Sequence, residues 1–163
     1  MKNILLFVLC VCLGTAVVAA QLGAGTDDQP SEASAVGSVR TLNTAEVTYA
    51  NSFKDEGFAC TLTQLGEDPS IAKGSTAQFA GFIAQNLVSG HKAGYNFAVN
   101  CGAEEHKPFP RVTIYAVPVN PATGARAFCS ELHGPWDKIQ GGIIYWSKDG
   151  RADTCFIKGT SLK

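Results

Sequence analysis

Residues 31–53 read SEASAVGSVRTLNTAEVTYANSF, and the spacing of their apolar side chains governs how the rest of the chain is read. No proline and only one glycine, Gly37, fall between Ser31 and Ser52. Ala35, Val39, Leu42, Tyr49 and Phe53 recur at intervals of three, four or seven, which puts them on one face of a helix. Ser31 suits the N-cap, where its hydroxyl can accept from an otherwise unbonded N–H, and Glu32 follows where the helix dipole favours negative charge. One long helix is therefore expected. Glu46 falls beside its apolar stripe, where a carboxyl needs a partner, so a hydrogen bond or ion pair is expected at the seam between helix and sheet.

Past the helix, Gly57-Phe58-Ala59-Cys60 ends the element, and residues 62–65 predict a short turn before the break at Gly66 to Pro69. Phe79, Phe82, Ile83 and Leu87 fit a second amphipathic helix of about two or three turns, closing at Ser89-Gly90. The period then changes to two. Tyr95, Phe97 and Val99 alternate with Asn96, Ala98 and Asn100, and Val112, Ile114 and Ala116 alternate with Thr113 and Tyr115, giving two strands. Asn120-Pro121-Ala122-Thr123-Gly124 is a turn leading into a third strand over residues 126–130, hence a hairpin. Pro118 has no N–H for a ladder and belongs at an edge or a strand end. A fourth strand covers residues 142–147, after which Lys148-Asp149-Gly150 turns the chain toward Cys155. The expected fold is α+β, one long N-terminal helix and a short one packed on a four-stranded antiparallel sheet.

The chain has 163 residues, 45% hydrophobic and 17% charged, and its 13 Lys+Arg against 14 Asp+Glu give a formal net charge of −1. That balance excludes a disordered polyelectrolyte and a nucleic-acid binder acting through bulk positive charge. Lys2, the apolar run over residues 4–13 and Val18-Ala19-Ala20 read as an export signal over residues 1–20, with cleavage expected after Ala20. Residues 4–20 also approach the roughly 17-residue minimum for a spanning helix, so retention as an anchor stays open, as does lipid attachment through Cys10 or Cys12. Residues 21–30 read as a flexible linker and residues 31–163 as one globular domain. Of the six cysteines, Cys10 and Cys12 leave with the signal. Cys60, Cys101, Cys129 and Cys155 remain, an even set that in an exported domain predicts two disulfides in one of three connectivities.

Several segments carry a resemblance. Residues 32–50 (EASAVGSVRTLNTAEVTYA) closely resemble the C-terminal half of the spine helix of type IV pilins and type II secretion pseudopilins. Residues 57–66 (GFACTLTQLG) are similar to the family's segment just after that helix, residues 89–97 (SGHKAGYNF) to the first sheet strand, residues 117–129 (VPVNPATGARAFC) to the central hairpin, and residues 142–145 (GIIY) to the last strand. Order and spacing match from about Glu32 to Tyr145. The resemblance implies a pilin-like head built for assembly, not catalysis. Family members also start with a peptidase site before a Phe and an early Glu in a long apolar half-helix. Residues 1–30 here contain no Gly-Phe pair and no acidic residue before Asp27, which fits a head carrying an export signal in place of the polymerising helix. The expectation is a secreted, periplasmic or surface-located non-enzymatic protein with protein partners, a filament or secretion assembly among them, and a possible homo-oligomer. An extracellular binding module reusing the same head is the alternative. Membrane contact is expected only if residues 4–20 are retained.

The residues able to carry chemistry agree with that expectation. The three histidines, His91, His106 and His133, stand in no metal-ligand motif, and no C-x-x-C, G-x-S-x-G or phosphate-loop pattern occurs. No cofactor or metal is expected. Glu104-Glu105 reads as a solvated loop pair. Asp149-Gly150-Arg151-Ala152-Asp153 could offer oxygens to calcium, or be an ordinary turn. Chain topology favours Cys129 with Cys155 and Cys60 with Cys101. Trp136, Trp146, Phe109, Tyr145 and Phe156 are candidates for a recognition surface. Trp136, in the loop Leu132-His133-Gly134-Pro135-Trp136, is the binding residue singled out, the alternative being that it caps the sheet.

Overall fold

The structure, a computed structural model, describes residues 30–70, 74–103, 106–123 and 125–162. The expected export signal and all of the linker except Pro30 lie outside the described residues, as does the Glu104-Glu105 pair. Helix α1 (Glu32–Ser52) starts where the capping chemistry places it, with Ser31 Oγ accepting from Ser34 N at 3.3 Å. Two short helical turns come next, α2 (Leu62–Leu65) and α3 (Gln85–Val88). Then come β1 (His91–Lys92), β2 (Tyr95–Asn100), β3 (Arg111–Pro118), a 3-10 turn at Pro121–Thr123, β4 (Ala127–His133), β5 (Gln140–Ser147), α4 (Ala152–Lys158) and β6 (Thr160–Ser161).

The architecture is α+β, with one antiparallel sheet in the order β1-β2-β3-β4-β5-β6. The α1 stripe of Ala35, Val39, Leu42, Ala45 and Tyr49 is buried against β3, β4 and β5. Alternation supplies the opposing layer. Tyr95, Phe97 and Val99 of β2 face inward while Asn96, Ala98 and Asn100 face out, and on β3 Val112, Ile114 and Ala116 are fully buried. Pro118 closes β3 opposite Tyr95, where no further ladder N–H is required.

Three expectations need correction. The sheet has six strands, not four, because β1 and β6 add two-residue edges too short to show any period. The helix expected over residues 79–88 shrinks to the four residues of α3. The main-chain donors that such a helix would use internally go elsewhere: Ala80 N bonds Gln64 O at 2.8 Å, Gly81 N bonds Gly66 O at 2.8 Å, and Phe82 N bonds Leu65 O at 2.7 Å. These residues pair with the end of α2, and Gly81 adopts φ +72°. Helix α4 was not anticipated. Its seven residues bury only Cys155, so they present no apolar stripe to read.

Two disulfides close the fold. Cys60–Cys101 joins the segment after α1 to the end of β2, with Cα atoms 5.1 Å apart, and Cys129–Cys155 joins β4 to α4 at 6.1 Å. Each is expected to stabilise by about 2–4 kcal/mol. Among the described residues no helix is long and apolar enough to cross a membrane.

Candidate functional site

The C-terminal end of α1 meets two loops and leaves a groove of about 220 Å³. Ala50, Lys54, Gly57 and Phe58 form one wall, Pro108, Phe109 and Pro110 the second, and Gly134, Pro135 and Trp136 the third. Main-chain bonds hold these walls together. After the C-cap, where Phe53 N bonds Tyr49 O, Glu56 N and Gly57 N fold back on Phe53 O. Residues 57 and 109 then run side by side: Phe109 N donates to Glu56 O at 2.8 Å and Phe58 N donates to Phe109 O at 3.1 Å. Gly57 sits at φ +77°, and a Cβ there would collide with the main chain of Phe109, so glycine is required on both counts. The third wall is pinned by Gly134 N to Pro110 O at 2.9 Å and closed by Lys138 N to Pro135 O at 2.9 Å. Lys107 and Glu56 form an ion pair at the rim.

Trp136 is 41% exposed. Its indole stands on the third wall, and the Lys54 ammonium lies 3.7 Å from the ring centroid, a cation–π contact. Lys54 is the sole charged side chain in the lining. Of the two phenylalanines in these walls, Phe58 is fully buried and Phe109 half-buried. Such a surface can bind an apolar group and place one positive charge beside it.

Of the aromatic residues proposed as a recognition surface, the fold joins only Phe109 to Trp136. Trp146 is half-buried with Arg126 stacked 4.7 Å from its ring centroid, while that guanidinium bonds Glu32 through Nε at 3.0 Å and Nη2 at 2.6 Å. The pair holds the Glu32 carboxyl below its ordinary pKa. Tyr145 and Phe156 lie on the outer face of the sheet, where Phe156 meets both Tyr115 and Tyr145 edge-on. Lys54 and the two flanking prolines of Phe109 were not picked out from the sequence. Pro108-Phe109-Pro110, an aromatic fixed by turn residues like Trp136 in Gly134-Pro135-Trp136, is the signal that could have found the prolines, and no sequence pattern marks Lys54.

The histidines are dispersed. His91 Nδ1 is 3.3 Å from Asn96 Oδ1, and His106 is exposed in the loop before β3. His133 Nδ1 lies 3.6 Å from Glu131 Oε1 at a broader hollow of about 520 Å³ on the outer sheet face. The lining there (Glu131, His133, Gln140, Gly141, Ile143, Tyr145 and Phe156) contains no serine, threonine or cysteine for the imidazole to activate. Among the described residues no three His, Cys, Asp or Glu side chains are grouped to hold a metal. Both carboxylates of the 149–153 segment have partners of their own: Asp149 accepts from Thr154 Oγ1 at 2.8 Å and Arg151 N at 3.1 Å, and Asp153 accepts from Arg151 Nη2 at 2.7 Å.

Glu46 is fully buried on α1. Its Oε2 accepts from Ala59 N at 2.9 Å, one residue before the Cys60 disulfide, while Oε1 has no hydrogen-bond partner. Burial raises its pKa to about 8, outweighing the opposing effect of the Ala59 bond. The carboxyl is thus a hydrogen-bond partner for the 57–60 segment that lines the groove. Comparison of the chain with family models, curated proteins and solved structures finds no match.

Proposed function

We propose that this chain is an exported, non-enzymatic pilin-like accessory protein that engages a protein partner of a filament, secretion assembly or cell surface. The arrangement of α1 across β3, β4 and β5 supports the reading, because a spine helix laid over an antiparallel meander is what the resemblance of residues 32–50 implies. The two disulfides are compatible with a periplasmic or extracellular location. The test is an intact mass from the native host, with and without thiol alkylation, on the exported and sheared-surface fractions. A chain beginning near Gln21, without free thiols and present in those fractions, agrees with the proposal. Confinement to the cytosol with alkylatable thiols overturns it.

A second reading, an extracellular binding module, is favoured by the exposed indole of Trp136 over an apolar groove. A photoreactive residue at position 136 should give a discrete cross-linked partner in the native host, and one at position 157 should not. Equal yields from both positions, or none from position 136, would remove the groove as the contact surface.

A further inference from the structure

We infer that the Trp136 groove is a site for a small amphiphilic carboxylate, its apolar body against Phe109 and Trp136 and its carboxylate on Lys54. The inference rests on the reading of this groove as a working surface and adds the chemistry of the ligand that enters it. Shape comes first. Three walls held by the main-chain bonds of residues 56–58 with 109, 134 with 110, and 138 with 135 make a preformed cleft, so binding costs the protein little ordering. Size comes second. At roughly 30 Å³ per water-sized group, a volume of about 220 Å³ takes about seven heavy atoms, which suits one ring or the seven-carbon tail of an eight-carbon acid whose carboxylate stays at the mouth beside Lys54.

Charge decides the class. Phe58, Pro108, Phe109, Pro110, Pro135, Trp136 and Ala50 offer carbon, and their lining includes too few polar groups to match the hydroxyls of a polyol. A cationic ligand seeking the Trp136 face would meet the Lys54 ammonium already 3.7 Å from the ring centroid. A carboxylate instead finds its counter-ion there. Its ion pair forms over an apolar lining, where it is less screened than on an open surface. Lys107, the neighbouring cation, is engaged by Glu56, leaving Lys54 as the group that lines the cleft.

The experiment titrates the oxidised protein with octanoate while following the two tryptophan indole N–H resonances, assigned with Trp136→Phe. Octanol and octylammonium serve as neutral and cationic controls. Octanoate should shift the Trp136 resonance saturably, ahead of both controls. Lys54→Met should weaken octanoate by about two- to five-fold, the scale of an ion pair at an exposed lysine, and leave octanol unchanged. Lys54→Glu should reverse the preference toward octylammonium, a change that misfolding cannot produce. The inference is overturned by the absence of a saturable Trp136 shift, by equal binding of octylammonium and octanoate, or by octanoate binding unaltered in Lys54→Met. If octanoate fails while position 136 still cross-links a partner, this inference falls alone; if both fail, so does the reading of the groove.

Discussion

The inner face of the sheet is covered by the 21 residues of α1, the outer face in part by the seven residues of α4. Under α1, Val39, Leu42 and Tyr49 reach zero exposure against Val112, Ile114 and Phe128. Under α4 the single fully buried residue of the helix is Cys155, and Ile143, Phe156 and Ile157 stay exposed. One face is held by apolar area, the other by a covalent tie and a few ring contacts. The difference separates two sources of stability that can be perturbed independently, and it leaves one carboxyl, Glu46, in the dry layer.

The largest effect is expected on the inner face. Leu42→Ala should cost about 2–5 kcal/mol, from lost apolar burial plus the cavity left beneath α1. Urea unfolding followed by far-UV circular dichroism measures it, and a loss below about 1 kcal/mol, on the scale of an exposed site, would mean the layer is looser than its burial indicates. Breaking the outer tie comes next. Cys129→Ala with Cys155→Ala should cost about 2–4 kcal/mol, mainly by freeing the unfolded chain. Hydrogen exchange should then quicken most in α4, through local opening, while the slowest α1 amides lose only the global share of stability. A loss in α4 no larger than in α1 would show that the faces do not open independently.

The same contrast explains which parts of the fold are legible in the sequence. Strands β2 and β3 alternate because one side of each faces a continuous apolar layer, and the α1 stripe repeats for the same reason. Helix α4 shows no stripe to read, since its one buried residue is Cys155, which is tied to β4 by the Cys129–Cys155 bond. The false extension of α3 arises because Phe79, Phe82, Ile83 and Leu87 satisfy helical spacing while their main chain bonds to the end of α2, a non-local competition that spacing does not record. In the groove, the exposure of Trp136 could be anticipated from its Gly-Pro turn. Its pairing with Lys54 could not, since it depends on where α1 ends relative to the loop after β4.

Glu46 gives the inner face a pH signature. Its folded pKa of about 8 stands above the ordinary 4.5. Between those values the folded chain keeps a proton that the unfolded chain has released, so stability is greatest at the acid end and falls as pH rises, levelling off above about 8. The slope is at most about 1.4 kcal/mol per pH unit. Glu46→Gln keeps an acceptor for Ala59 N and cannot ionise. It should hold its stability between about pH 6 and pH 8, where the parent loses on the order of 2 kcal/mol. A parallel decline in both proteins would assign the slope to other groups.

The smallest effects lie on the outer face, between two neighbours on α4. Phe156 is 38% exposed and meets Tyr115 and Tyr145 at ring separations of 6.0 and 6.1 Å, whereas Ile157 is 80% exposed. Phe156→Ser should therefore cost about 1–2 kcal/mol, from two edge-on contacts and the ring area they cover. Ile157→Ser should stay within about 0.5 kcal/mol of the parent, because it removes apolar area that solvent already reaches. Both are read from denaturant midpoints at two protein concentrations. Equal losses that grow with concentration would mean that a second copy covers Ile157 in solution, and the outer face would then owe its stability to association as well as to the Cys129–Cys155 tie.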